Sequence, residues 1–203
     1  MRRIVMFNWM TVDGYFAGPD GSLDWVVPDD EQAKAAVEGM PQGDTVLLGR
    51  RTYELFASFW PKALDDSTTA PDPHHPGHRS EEQRAMAVWL NQATKLVFSG
   101  TLTEATWHNS RILDTFDPRA IGDMKAKPGK DMMIFGSGSI VSQLTQHGLI
   151  DEYQFMVCPV LLGSGRSLLS DVSKQVKLEL REARSYPSGD VMLRYGRCDA
   201  TAP

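Results

Sequence analysis

"DMMIFGSGSIVSQLTQHGLIDEYQFMVC", residues 131–158, decides the fold. A strand-like run at 131–135 stops on a Gly/Ser turn. An apolar stretch of helical composition over 139–147 then ends at Gly148, and a second strand occupies 152–158. Strand, helix and strand at this spacing make a βαβ unit, which implies parallel strands with a helix packed on their sheet. The same alternation appears upstream. "RIVMFNW" at 3–9 reads as an opening strand, residues 29–39 as a helix capped by Asp29 or Asp30, and "DTVLLGRRTYELF" at 44–56 as a strand over 44–49 followed by a helix from about Arg51. A further helix over about 81–91 leads into "TKLVFSG", a strand ending at Ser99 and Gly100. Downstream the character changes: "QVKLELREARSYPSGDVMLRYGR" carries two period-2 runs joined by Pro-Ser-Gly-Asp, the pattern of an antiparallel hairpin. The expected fold class is α/β, with a mixed sheet and a C-terminal hairpin.

The 203 residues suit one domain over 1–203, large enough to bury a core without disulfides. Residues 61–79, "PKALDDSTTAPDPHHPGHR", have no apolar period and read as a surface excursion. A net charge of -5 with 41% hydrophobic residues gives no electrostatic footprint for nucleic acid or an anionic membrane, so the expected partner is a small molecule. Two cysteines are too few for a disulfide framework, and "MRRIVMFNWM" lacks the apolar core of a signal peptide. No apolar run approaches the roughly 20 residues needed to span a bilayer. A cytoplasmic protein is expected.

Three strands end in small residues: Gly49 before Arg50, Ser99 before Gly100, and Gly136 before Ser137. In open α/β sheets ligands bind beyond the carboxyl ends of strands, where helix N-termini present free N–H groups. Arg50 and Arg51 add planar donor forks and Thr52 a hydroxyl, a set suited to a phosphate monoester, although two arginines at a helix start also serve as plain solvated residues. "GSGS" at 136–139 is not the G-x-G-x-x-G fingerprint, since position 141 is Val, and no ribose-binding acid follows it.

The order "LLGRRTYE", "LVFSG", "MIFGSGSIVSQL" and a closing hairpin resembles the dihydrofolate reductase-like family along essentially the whole chain. The resemblance implies a three-layer fold, with a mostly parallel central sheet and helices on both faces. It also implies NADPH as cofactor. Gly49, Arg50, Arg51, Thr52, Ser99 and Gly100 would then meet the 2′-phosphate. Gly136, Ser137, Gly138, Ser139 and Ile140 would meet the pyrophosphate and nicotinamide side. In "LDWVVPDDE", Trp25, Pro28 and Asp30 match the family's pterin pocket, with Asp30 as the catalytic carboxylate that orients the heterocycle and favours its protonated form. Asp30 is equally natural as a helix cap, and Asp29 is the neighbour that could exchange roles with it.

Gly136-Ser137 departs from the Gly-Gly of true dihydrofolate reductases, and "GLIDEYQFMVCPVLLGSGRSLL" looks like the reductase domain of the riboflavin-biosynthesis deaminase-reductases and their stand-alone relatives. That branch implies that Pro159, Gly163 and Gly165 shape the substrate side and that Asp13 and Gly14, in "TVDGYFAG", flank the pocket. It implies a homodimer acting on a pteridine, pyrimidine or related heterocycle. No metal is expected. His74, His75 and His78 sit in a Pro-rich loop with no obvious fourth ligand, and the deaminase zinc signature is absent. Trp60, Trp89 and Trp107 read as core or rim aromatics, and Cys158 as a small core residue.

Overall fold

The computed structural model describes residues 1–27, 29–39, 42–65 and 80–198. Pro28 and the three histidines of the Pro-rich segment lie outside the described residues. In chain order the strands are β1 (Ile4–Thr11), β2 (Tyr15–Ala17), β3 (Gly43–Gly49), β4 (Thr94–Phe98), β5 (Ser110–Leu113), β6 (Asp131–Phe135), β7 (Glu152–Cys158), β8 (Arg166–Ser167), β9 (Leu178–Ser185) and β10 (Val191–Arg197). The helices are α1 (Asp30–Gly39), α2 (Arg50–Phe59), α3 (Glu81–Gln92), α4 (Pro118–Ala126) and α5 (Gly138–Gln146).

Eight strands form one sheet in the order β5-β4-β3-β6-β1-β7-β10-β9. The pairs from β5 to β7 are parallel, and β10 is antiparallel to both β7 and β9, so the expected mixed, mostly parallel α/β sheet with a C-terminal hairpin is present. β6, α5 and β7 are the expected βαβ unit, and β1 lies between its two strands. The segment 13–27 contains β2, which pairs with β8 in a separate two-stranded sheet.

Alternation along β1 divides the molecule. Ile4 and Met6 enter the main core beside Ile134, Ile140, Val141, Leu144 and Tyr153, under α5. A second core, around Val46, Leu48, Tyr53, Leu90, Val97 and Trp107, fixes α2 and α3 to β3 and β4. Trp107 is core, as expected, and donates its indole N–H to Asn91 Oδ1 at 2.7 Å. Cys158 is also core, and burial, together with nearby Asp190, pushes its thiol up to about 12.

Lys95 is completely buried at the end of α3, where its Nζ donates to the Leu90 and Asn91 carbonyls at 2.9 and 3.4 Å and lies 4.4 Å from the centre of the Trp107 ring. Burial pushes its ammonium down to about 8 from 10.5. The folded state thus loses this proton before the unfolded state does. Lys95 costs stability below about pH 8, and the cost fades as pH rises toward 10.5, by an amount on the order of 3 kcal/mol. Denaturant unfolding of wild type and Lys95→Met should show the wild type gaining on the variant through that window. A constant difference would overturn the assignment.

Candidate active site

The carboxyl ends of β3, β4 and β6 open onto a cleft of about 1610 Å³. Its geometry begins at Ser137, whose Oγ accepts the Gly49 N–H at 2.9 Å and donates to the Phe135 carbonyl at 3.3 Å, stitching the end of β3 to the end of β6. Gly136 and Ser137 are both left-handed, with φ of 58° and 57°, so the chain reverses sharply before α5. Glycine adopts that conformation freely, whereas a β-branched residue would be strained. A Cβ on Gly136 would sit 3.5 Å from Thr52 Oγ1, so the turn before α5 and the start of α2 are in contact.

Helix capping separates this end of the molecule from the rest. α3 has a full capping box at Ser80, α4 is capped by Asp117, and the first turn of α1 is capped by Asp29, whose Oδ1 accepts from the Glu31 and Gln32 amides. α2 and α5 have no side-chain cap, and both begin in the cleft wall. Their free N–H groups and helix dipoles put partial positive charge at two neighbouring points of the cleft wall, the arrangement that suits an anion. Arg50 pairs with Glu54 at 3.0 Å across one turn, while Arg51 is exposed with no partner among the described residues. Ser99 Oγ accepts from the Thr101 and Leu102 amides and shares a third hydrogen bond with Thr101 Oγ1 at 3.4 Å.

Gly49, Arg50, Arg51, Thr52, Ser99, Gly100, Gly136, Ser137, Gly138 and Ser139 therefore come together around one cleft. Ile140 does not. It points into the main core, because α5 turns it away from its own N-terminus.

The other wall differs more from expectation. Asp30 is exposed at the first turn of α1 and does not line the cleft. Its neighbour Asp29, one residue before the helix, does line the cleft. Burial opposes the charge on Asp29, but amide hydrogen bonds from Gln32, Ser188 and Glu31 outweigh it and hold the carboxyl below its ordinary range. The hairpin turn between β9 and β10 thus docks on α1: Ser188 N donates to Asp29 Oδ2 at 3.1 Å, and Gln32 Nε2 donates to Ser188 Oγ and to buried Asp190. Between Asp29 and the arginine end, the floor is apolar and aromatic, formed by Phe7, Trp9, Phe135 and Met156. Trp60 and Trp89 also line the cleft.

Trp25 is buried against Met156 and Tyr186 behind this wall, while its neighbours, buried Val26 and exposed Val27, line the cleft. Asp13, Gly14, Pro159, Gly163 and Gly165 lie outside the cleft. Asp13 accepts from Thr11 Oγ1 and from the Gly163 amide at 2.7 Å, and a Cβ on Gly165 would meet the Ala17 carbonyl at 2.6 Å. These residues clasp β2 to β8. What reaches the cleft is the next pair, Arg166 and Ser167, with Arg166 donating to the Pro19 carbonyl at 3.3 Å. A cationic residue directly after a glycine-rich loop was the available signal for Arg166.

Asn8, which sequence reading passed over as part of a strand, also lines the cleft. It is 3% exposed, and its Oδ1 is out of solvent without a hydrogen-bond donor among the described residues. An unpaired buried carbonyl of this kind costs about 1–3 kcal/mol.

Among the described residues, no group of three His, Cys, Asp or Glu side chains could hold a metal ion, and no helix is long and apolar enough to cross a membrane.

Residues 2–192 match the RibD C-terminal domain family. The uncharacterized protein YyaP of Bacillus subtilis is 29% identical over 198 residues, spanning 96% of this chain and 94% of YyaP. The crystal structure of a putative riboflavin biosynthesis protein from Shewanella superposes with a TM-score of 0.70 at 20% identity, covering 97% of this chain and 99% of that one. A dihydrofolate reductase from Enterococcus faecalis, solved in complex with NADP(H), superposes with a TM-score of 0.60 at 14% identity, covering 97% of both chains. The shared fold therefore extends to dihydrofolate reductases, and the chain itself belongs to the RibD C-terminal domain family, a family of reductases.

Proposed function

We propose that the protein is an NADPH-dependent reductase acting on a pteridine, pyrimidine or related heterocycle. The observation that carries this reading is the pair of uncapped helix N-termini, α2 and α5, opening side by side into one cleft with Arg50, Arg51 and Thr52 at the first of them. NADPH, when bound, supplies the hydride. Arg50, Arg51, Thr52 and Ser99 hold the 2′-phosphate, and the amides at the start of α5 face the pyrophosphate. Arg166 stands at the same mouth and adds positive charge.

The aromatic floor of Phe7, Trp9 and Phe135 suits a flat ring. Asp29, kept ionised by hydrogen bonds from Glu31, Gln32 and Ser188, is the acceptor that a ring or amino N–H of the substrate meets at this end of the cleft. That contact orients the heterocycle and favours its protonated form at the nitrogen next to the accepting carbon. Titrating NADPH and NADH by fluorescence quenching, and then following NADPH oxidation with a panel of pteridines and pyrimidines, tests the reading. Preferential NADPH binding with turnover of a panel member supports it. Equal affinities, or none, would remove the phosphate site. Binding without turnover of any heterocycle would instead favour a nucleotide-binding module.

The reading includes a homodimer. Beyond the helices, β7 and β10 carry Phe155, Val157, Leu193 and Tyr195 around an apolar groove of about 420 Å³ with Met10 and Val12, and Val12 and Leu161 are 61% and 74% exposed nearby. A second copy is the partner that a two-fold interface of this kind would pair with. Light scattering at micromolar concentration should give twice the mass of one 22.6 kDa chain, and Leu193→Glu should halve it. A monomeric wild type would refute the dimer.

A further inference from the structure

One polar side chain on the α5 face of the sheet has no use in the fold. Along β1 the residues Ile4, Met6, Asn8 and Met10 alternate on that face, and Ile4 and Met6 are core while Met10 packs against it. Asn8 interrupts the apolar series where leucine or valine would extend the core. At this level β1 is flanked by the end of β6, with Phe7 opposite Phe135 and the Gly136 amide 3.4 Å from the Phe7 carbonyl, and by Phe155 of β7. Asn8 is nearly fully buried, lines the cleft, and has an Oδ1 to which nothing among the described residues donates.

As the Asn8 side chain is turned, the missing partner is a donor, which a phosphate oxygen is not. Its position excludes the heterocycle's main contacts, because Phe7 and Trp9, the substrate floor, alternate to the opposite side of the strand from Asn8. What remains is the inner end of the dinucleotide, next to the Gly136–Ser137 turn. A primary carboxamide presents N–H and C=O in the same planar arrangement as asparagine, so two reciprocal hydrogen bonds satisfy both groups. A sugar hydroxyl would satisfy only one end.

We infer that Asn8 is the positioning residue for the nicotinamide ring, its side-chain amide pairing with the carboxamide of the cofactor. This rests on the NADPH reading and adds to it the group that fixes the rotation of the reactive ring. The test compares wild type, Asn8→Leu and Asn8→Ala by calorimetric titration with NADPH and with 2′-phospho-ADP-ribose, which has every phosphate and no nicotinamide. Both variants should bind NADPH roughly 10–100-fold more weakly and the fragment within about twofold of wild type. The ligand-free Asn8→Leu protein should melt no lower than wild type, since it loses an unpaired polar group and no contact. NADPH binding unchanged in both variants, or an equal loss for both ligands, would overturn the assignment while leaving the cofactor reading intact. A wild type that fails to bind the fragment would sink the cofactor reading itself, and the role of Asn8 with it.

Discussion

Replacing Arg50 and Arg51 together with alanine should weaken NADPH binding by roughly 100-fold and NADH binding by no more than about threefold. Each charge-assisted contact to a phosphate is worth about 1.5–3 kcal/mol, and both guanidiniums are solvent-exposed, so the lower end of that range applies. Arg51 should account for more of the loss than Arg50, because both Glu54 oxygens hold the Arg50 Nη1 at 3.0 and 3.1 Å. The same geometry predicts an opposite effect one turn away. Glu54→Gln frees Arg50 and removes a negative charge from the phosphate's surroundings, so NADPH should bind a few-fold tighter, most clearly at low salt. Circular dichroism will show whether α2 persists without its Arg50–Glu54 pair, which contributes only about 0.3–0.5 kcal/mol. If the double variant loses NADPH and NADH affinity in equal proportion, the arginines do not read the 2′-phosphate.

That half of the site was legible in the chain because its signals are local. A strand ending in glycine, followed at once by Arg50, Arg51 and Thr52, places donors at a helix start whatever the rest of the protein does. The βαβ unit and the hairpin were legible for the same reason: their hydrophobic periods are intact over 131–158 and 178–197. Where periods fail, so did the reading. α4 buries only Ile121 and Lys125 and carries a glycine in its middle, and β5 has no fully buried residue. β2 and β8 are three and two residues long and find each other across about 150 positions, which no window along the sequence can detect. The glycines of the 159–165 loop, expected on the substrate side, lie outside the cleft: Gly165 lets the loop lie against Tyr15 and Ala17, and the Gly163 amide donates to Asp13. The substrate wall depends on contacts of the same long range, Ser188 to Asp29 and Gln32 to Asp190. A helix rotates about 100° per residue, so a one-residue uncertainty at its start decides which of two adjacent aspartates faces inward.

Those two aspartates give the largest expected effect on catalysis. Asp29→Asn should lower turnover of the heterocycle by roughly 10²–10⁴-fold, the range for acid–base assistance, while Asp30→Asn stays near wild type. NADPH affinity should be unchanged in both, because neither residue touches the arginine end of the cleft. Asparagine at position 29 retains one carbonyl oxygen to cap Glu31 and Gln32 but turns an N–H toward the Ser188 amide, so Asp29→Asn should also lose about 1–2 kcal/mol of stability. The pH dependence of that stability follows from the depressed carboxyl. The contribution of Asp29 is complete above its ordinary value of 3.8 and is lost as the pH falls below it, through the folded-state value. At neutral pH the wild-type charge is fully present, so the loss of turnover there reports the missing charge. Binding of a protonated diaminopyrimidine gives a readout that needs no turnover: such a cation requires a carboxylate, and its affinity should collapse in Asp29→Asn and persist in Asp30→Asn. If the dependence falls on Asp30 instead, Asp29 is only the cap of α1 and Asp30 is the carboxylate that meets the substrate; if it falls on neither, no carboxylate of this helix takes part in the chemistry.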